Sequence, residues 1–276
     1  MTASGLACTV RGCGLPLARG DRALTCTRGH SYDVSRSGYV NLLQPQDRRA
    51  LSAGDSRELV SARRRLLDAG VGRTIVDDFV RCATRLDLPD VPLVADLGSG
   101  TGDVLAAIAA ARPIAGVGID LSAAAAAHAA RRYPALTWVV ANADRRLPLV
   151  DGGAALVLSM NGRRNPEECA RVLAPGGSLL VAVPSPDDLV ELRASIQGQG
   201  DERDRVETLI AEHAPAFTVV TRHVARERHR LSAEALRDVL RITYRGARRR
   251  VLPRVDALDW MEVTLASDLV LFARRP

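Results

Sequence analysis

Two groups of residues in this chain have types and spacings suited to chemistry. The first is Cys8, Cys13, Cys26 and His30. Three thiols and an imidazole on two short knuckles can close a tetrahedron around one zinc ion, and the dozen residues between the knuckles suffice for a hairpin. Gly14, Gly20, Gly29 and the Leu15-Pro16 step supply turns. Bound metal would provide folding free energy that so short a segment cannot gain from apolar burial, which makes the expected role structural. The closest pair is separated by four residues rather than two, which argues against a redox dithiol. A disulfide, or cysteines acting as small apolar residues beside a surface histidine, is the alternative. Cys82 and Cys169 fall in helical patterns and read as apolar fillers.

The second group begins at Asp96, where an apolar strand runs into Gly98-Ser99-Gly100-Thr101-Gly102 and then a helix, Val104 to Ala111. Such a loop sets backbone amides and a helix N-terminus beneath a polar ligand. Alone it is weak, because nicotinamide and flavin folds use a similar turn. The two downstream strands strengthen it. A strand Gly116 to Asp120 ends in Asp120-Leu121, where a carboxylate can accept two ribose hydroxyls. Another, Leu136 to Ala141, ends in Asn142-Ala143-Asp144, where a side chain can meet an adenine amino group. The joint order reads as the adenosine half of a nucleoside cofactor lying across the carboxyl ends of parallel strands. Taken singly, the loop is an ordinary strand-to-helix turn, Asp96 a structural acid and Asp120 a solvated strand end.

The elements that must position these residues are marked by the same kind of spacing. A helix beginning after Gly54-Asp55-Ser56 places Leu59, Val60, Ala62, Arg63, Leu66 and Leu67 at helical spacing and stops at Gly70; it would connect the two parts. A second helix is expected from about Thr74 to Leu86. A fourth strand is expected over Ala154 to Met160. A helix from Glu167, stopped by Pro175-Gly176-Gly177 and followed at once by a buried strand to Val181, resembles the corresponding unit of class I methyltransferases. Trp260 to Leu265 and Leu269 to Ala273 read as an antiparallel hairpin at the sheet edge. The expected fold is α/β, a doubly wound parallel sheet of the class I (Rossmann-like) S-adenosylmethionine-dependent methyltransferase type with an N-terminal zinc-binding module. The expected division is 1–45 zinc-binding module, 46–90 helical linker, and 91–276 methyltransferase domain.

Length and composition agree with this. At 276 residues the chain can bury one full core and carry a small extra module. With 47% hydrophobic residues but no apolar run approaching a membrane span, no membrane partner is expected. The N-terminus lacks a basic segment followed by an apolar stretch, so a cytoplasmic location and reduced cysteines are expected. All 38 basic residues are arginine, giving a net charge of +6. GC-rich coding explains the bias, and the planar fork of arginine remains suited to phosphate. Arg63-Arg64-Arg65 and Arg245 with Arg248-Arg249-Arg250 are the best basic candidates, although such runs are often just solvated faces.

With both parts located, the chain resembles the 23S ribosomal RNA guanine-N1 methyltransferases, a family that includes macrolide-resistance methylases. The residues that carry the resemblance are Cys8, Cys13, Cys26 and His30, the stretch Gly38-Tyr39-Val40-Asn41-Leu42-Leu43, Gly54-Asp55-Ser56, Ala62-Arg63-Arg64, Leu67-Asp68-Ala69-Gly70 and the Asp96 to Gly102 loop. The resemblance implies S-adenosyl-L-methionine and Zn2+ as cofactors and methylation of a guanine in a hairpin loop of 23S rRNA, the zinc module helping to recognise RNA. It implies cofactor contacts from Asp96, Gly98, Ser99, Gly100, Thr101, Gly102, Asp120, Leu121, Asn142, Ala143 and Asp144. Tyr32 and Tyr39 are candidates to stack on splayed bases, and Asp55 is a weak candidate for the catalytic base. Two segments depart from the family: Ser159-Met160-Asn161-Gly162-Arg163-Arg164-Asn165-Pro166 lacks an expected aromatic near the target base, and Ile242-Thr243-Tyr244 replaces a Met-Thr-Pro step. These departures leave open a small-molecule (natural-product) methyltransferase on the same scaffold. A non-catalytic RNA-binding protein is the third reading, opposed by the intact loop and Asp120. A homodimer is neither required nor excluded.

Overall fold

A computed structural model of the chain describes residues 2–44, 54–197, 205–243 and 258–275. Arg245, Arg248, Arg249, Arg250 and Tyr244 lie outside the described residues, as does residue 46, where the linker was expected to begin.

The chain opens with a small antiparallel sheet of β1 (Thr2–Ala7), β2 (Pro16–Arg19), β3 (Ala23–Thr25) and β4 (Ser31–Asp33), in that spatial order. Strands this short bury too little for independent stability: β2 and β3 each send a single leucine inward, Leu17 and Leu24. The remainder comes from the main body. Leu6 bridges Leu149, and the Ala7 amide donates to the Pro148 carbonyl at 3.0 Å. Cys8, Leu17, Leu24 and Cys26 share one apolar cluster with Val139, Ala141, Leu147 and Leu149. The aromatic and apolar stretch after the last cysteine supplies a second tie. Within it β5 (Val40–Asn41) leaves the small sheet and joins the outer edge of the large one.

The large sheet is built on β6 (Leu93–Leu97), β7 (Ala115–Asp120), β8 (Thr137–Val140), β9 (Ala154–Met160), β10 (Leu173–Pro184), β11 (Phe217–Ser232) and β12 (Trp260–Arg274). Its order is β11-β12-β10-β9-β6-β7-β8-β5. The pairs from β10 through β5 are parallel, while β12 runs antiparallel to both its neighbours. β6, β7, β8 and β9 are almost continuously buried, as strands covered by helices on both faces must be. Order reverses between β6 and β9, and ligands of such sheets bind at the carboxyl ends beside that switch point.

Helix α1 (Arg57–Asp68) starts where the Ser56 hydroxyl accepts the Leu59 amide, and it buries Leu59, Val60, Ala62 and Leu66. α2 is Arg73–Thr84, with Ile75, Phe79 and Ala83 inward. α3 (Asp103–Ala111) and α4 (Ala123–Arg132) are the crossovers flanking β7. α5 (Pro166–Val172) is capped by the Asn165 side chain; α6 (Val190–Gln197), α7 (Arg205–His213) and α8 (Ala233–Thr243) are the remaining helices among the described residues.

Two sequence expectations are corrected. α5 ends at Val172 rather than at the Pro-Gly-Gly stop, because Leu173 is already extended and Ala174 precedes a proline, which disfavours helix for that residue. Trp260 to Ala273 is one strand, not a hairpin. The polar break at Ser267-Asp268 is a buried hydrogen-bonding site, where Asp268 accepts from the Ser185 hydroxyl at 2.7 Å and the Arg222 guanidinium at 2.9 Å. Its partner is β11, which sequence reading left unassigned.

Candidate active site and metal centre

Each zinc knuckle is a tight backbone turn. Cys13 donates to the Val10 carbonyl at 2.9 Å and Gly14 to that of Cys8 at 3.2 Å; Gly29 donates to Cys26 at 2.9 Å and Cys26 to His30 at 3.1 Å. The turns bring the ligand atoms of Cys8, Cys13, Cys26 and His30 within 4.8 Å of one another. The His30 Nδ1 lies 3.3 Å from the Cys8 sulfur and 3.4 Å from that of Cys26, and the Cys13 and Cys26 sulfurs are 3.9 Å apart. A zinc ion bonded to thiolates at about 2.3 Å sets tetrahedral sulfur–sulfur edges near ~3.8 Å and slightly shorter sulfur–nitrogen edges, so the four residues fit that ion. All five cysteines are free thiols, which sets the disulfide reading aside. Burial raises the Cys26 thiol, but amide donors from His30 and Arg28 and the adjacent thiols outweigh it and bring it down to about 7.

The second centre gathers at the carboxyl ends of β6, β7 and β8. Asp96, at the end of β6, is only 2% exposed; burial and the nearby Asp120 charge push its carboxyl up to about 7. Asp120 accepts the Gly100 amide at 2.8 Å and the Ser122 amide at 2.7 Å. Burial raises its carboxyl, and those two donors oppose the rise. Gly98 is held at φ +73°, and a Cβ there would stand 2.9 Å from the Cα of Gly162, so backbone from the β9 loop occupies the space a side chain needs. Thr101 is buried and donates to Asp103 at 2.5 Å, while Gly102 ends the loop at the start of α3. Ser99 donates its amide to the Ile119 carbonyl, and Leu121 is half-buried beside Gly54. At the end of β8, the Asn142 side-chain carbonyl accepts the Asp144 amide at 3.0 Å, with Ala143 half-buried between them. The loops after β8 and β9 are joined by Arg163, which donates to Asp144 at 2.7 Å.

Other candidates are engaged elsewhere. Arg64 donates to Asp103 at 2.7 Å and also pairs with Asp68, while Arg65 makes two bonds to the buried Asp238. Arg64 and Arg65 therefore brace α1, while Arg63 stays one-third exposed. Asp55 pairs with Arg63 at 3.3 Å, and its carbonyl accepts the Ser122 hydroxyl at 2.5 Å, beside the turn that follows Asp120. The Tyr32 hydroxyl is bonded to the Cys8 sulfur at 3.1 Å and to the Thr9 amide, and Tyr39 packs on the core; both rings remain half-buried. Cys169 is buried, as expected of a filler, and Cys82 is half-buried.

Between the two centres lies a cleft of about 860 Å³, lined by Thr9, Arg11, Gly12, Gln44, Asn142, Arg145 and Arg146 among others. Three arginines line it, and no acidic side chain does so among the described residues.

Comparison with known proteins agrees with this geometry. The methyltransferase-domain family model matches residues 94–177, and a zinc-ribbon model described as RlmA, N-terminal, matches residues 7–51. A 23S rRNA (guanine(748)-N(1))-methyltransferase of Streptomyces fradiae is 39% identical over 231 residues, 83% of this chain and 81% of the relative. The chain belongs to the 23S rRNA (guanine-N1)-methyltransferase family. A Bacillus subtilis (strain 168) chain named for the same kind of activity is 31% identical over 234 residues, 82% of this chain and 81% of that one. Among solved structures, the YcgJ protein of Bacillus subtilis has a TM-score of 0.52 at 14% identity, covering 72% of this chain and 99% of its own, which shows the shared fold. As a member of this family the protein is an S-adenosylmethionine-dependent methyltransferase with a zinc ribbon. After β9, Asn161 holds a left-handed backbone, φ +55°, that turns the loop back against Leu97 and Gly98. Sequence reasoning missed Arg163 and His213. His213 accepts from Arg164 of that loop at 3.3 Å across 49 positions, a pairing that no local pattern announces.

Proposed function

We propose that the protein methylates N1 of a guanine in a hairpin loop of 23S rRNA. The cleft between zinc knuckle and cofactor end carries the reading: Arg11 on one wall and Arg145 and Arg146 on the other face a channel that reaches Asn142. Arginine forks on both sides of an open groove suit a phosphodiester chain, whereas a small apolar acceptor would favour a closed apolar pocket. A loop base is already unpaired or cheaply splayed, so the groove can hold backbone while one base enters.

Bound S-adenosylmethionine supplies an activated sulfonium methyl. The task left to the chain is alignment and a proton path. In this reading the Gly98–Gly102 loop and Asp120 hold the nucleoside end, Asn142 and Asp144 border the adenine, and the exposed Asp144–Arg163 pair links the loops that bound the acceptor. Asp55, whose motif made it a candidate base, is tied to Arg63 and positions that guanidinium instead. The zinc ribbon sets Arg11 opposite the end of β8.

The deciding experiment incubates the purified protein with radiolabelled S-adenosylmethionine and protein-free 23S rRNA, then maps stops in reverse transcription. A methyl on N1 blocks base pairing, so the expected result is one strong stop next to a hairpin-loop guanine. Cofactor binding with no transfer to RNA would overturn the proposal and leave a small-molecule acceptor. Replacing Arg145 and Arg146 by glutamate is expected to weaken RNA binding by about tenfold or more and to flatten its salt dependence, with cofactor affinity unchanged.

A further inference from the structure

Of the three consecutive arginines on α1, Arg63 alone turns to the glycine loop. Its neighbours are committed: Arg64 to Asp103 and Asp68, Arg65 to the buried Asp238 through two of its fork nitrogens. Arg63 pairs with Asp55 through Nη2 at 3.3 Å and remains one-third exposed. Its Nη1 lies so close to the loop that a Cβ on Gly100 would stand 2.5 Å from it. Gly100, at φ +53°, also donates its amide to Asp120. The guanidinium is thus laid over the loop residue whose amide meets the ribose carboxylate.

The cofactor has one anionic group, the carboxylate of its methionine end. If the ribose sits on Asp120 and the adenine beside Asn142, the amino-acid end passes over Gly98–Gly102, past the Arg63 guanidinium. Aligned N–H pairs of a guanidinium suit a carboxylate, and a single ion pair to Asp55 leaves donors for one. We propose that Arg63 receives the carboxylate of the methionine moiety and that Asp55 is the positioning residue that aims it. This rests on the cofactor assignment already made, and it gives Asp55 a reason to stand at the ribose end of the site. It also accounts for Gly100, where any side chain would displace the guanidinium.

The test compares two ligands by calorimetry on the full chain: S-adenosylhomocysteine, which has the carboxylate, and 5′-methylthioadenosine, which lacks the amino-acid end. Arg63→Gln is expected to weaken S-adenosylhomocysteine about ten- to a hundredfold, the range of a charged hydrogen-bonded contact, and to leave 5′-methylthioadenosine unchanged. Arg63→Lys should recover part of the loss, and Asp55→Asn should reduce S-adenosylhomocysteine affinity less than Arg63→Gln does. Equal losses for both ligands would mean that Arg63 merely staples the loop, and would overturn the proposal. Should Arg63→Gln fail to fold, the unaltered protein decides: the carboxamide of S-adenosylhomocysteine must bind about tenfold or more weakly than the acid, and equal affinity overturns the assignment. Binding of neither nucleoside by the unaltered protein would instead bring down the cofactor assignment itself.

Discussion

Asp96 is a carboxyl group held neutral across most of the acid range by burial and by Asp120. An acid whose folded pKa is raised contributes stability that is present below its unfolded value near ~4 and is lost as pH rises through about 7. Asp96→Asn removes that titration. The melting temperature of the variant, relative to the unaltered protein, should therefore rise between about pH 5 and pH 8 in thermal scans; a difference independent of pH would refute the assignment. His213 is the opposite case, a base kept neutral. Burial beside Phe217 and Phe272 pulls it down to about 4, with the Leu209 carbonyl opposing and the Arg164 charge assisting. If Nδ1–H donates to Leu209 at 2.8 Å, Nε2 is left to accept from Arg164. His213→Phe keeps the ring stack and deletes the acceptor, which should cost about 1–3 kcal/mol in urea unfolding.

At the scale of elements, the contact between α1 and α8 is fastened by Asp238, 2% exposed, which takes two bonds from Arg65 and one from Arg241. Arg65 is half exposed, so water screens part of the pair. Asp238→Ala is expected to destabilise by about 1 kcal/mol, read from a shifted urea midpoint at unchanged slope, because it removes the buried acceptor of the Arg65 and Arg241 guanidiniums, which water partly solvates. The same scale shows why β11 was not legible. It is an edge strand rich in basic residues, FTVVTRHVARERHRLS, most of it in water, and its partner lies well downstream in the chain. An apolar alternation is what marks a strand in sequence, and an exposed edge does not need one. β6 to β9, buried on both faces, were legible for the converse reason.

At the scale of the molecule, the zinc ribbon and the methyltransferase sheet share an apolar cluster and are joined by β5 and by the Leu6–Leu149 bridge. Chelation of zinc should therefore lower the melting temperature of the whole chain, not melt a detached module, with a single cooperative transition in circular dichroism; two transitions would show that the parts fold apart. Cys8→Ser should behave like the chelated protein. The sequence by itself determined the ligand quartet, the glycine loop with Asp96 and Asp120, and the order of the parallel strands along the chain, because each is encoded by short-range spacing: knuckle turns, strand-to-helix turns and runs of buried residues. Tertiary structure alone decided that Arg65 braces α1 against Asp238, that the Tyr32 hydroxyl meets the Cys8 sulfur, that β12 pairs with β11, and that the cleft opens between the ribbon and Asn142. Those outcomes depend on which charged side chain meets which partner far away along the chain, and no local pattern carries that distance.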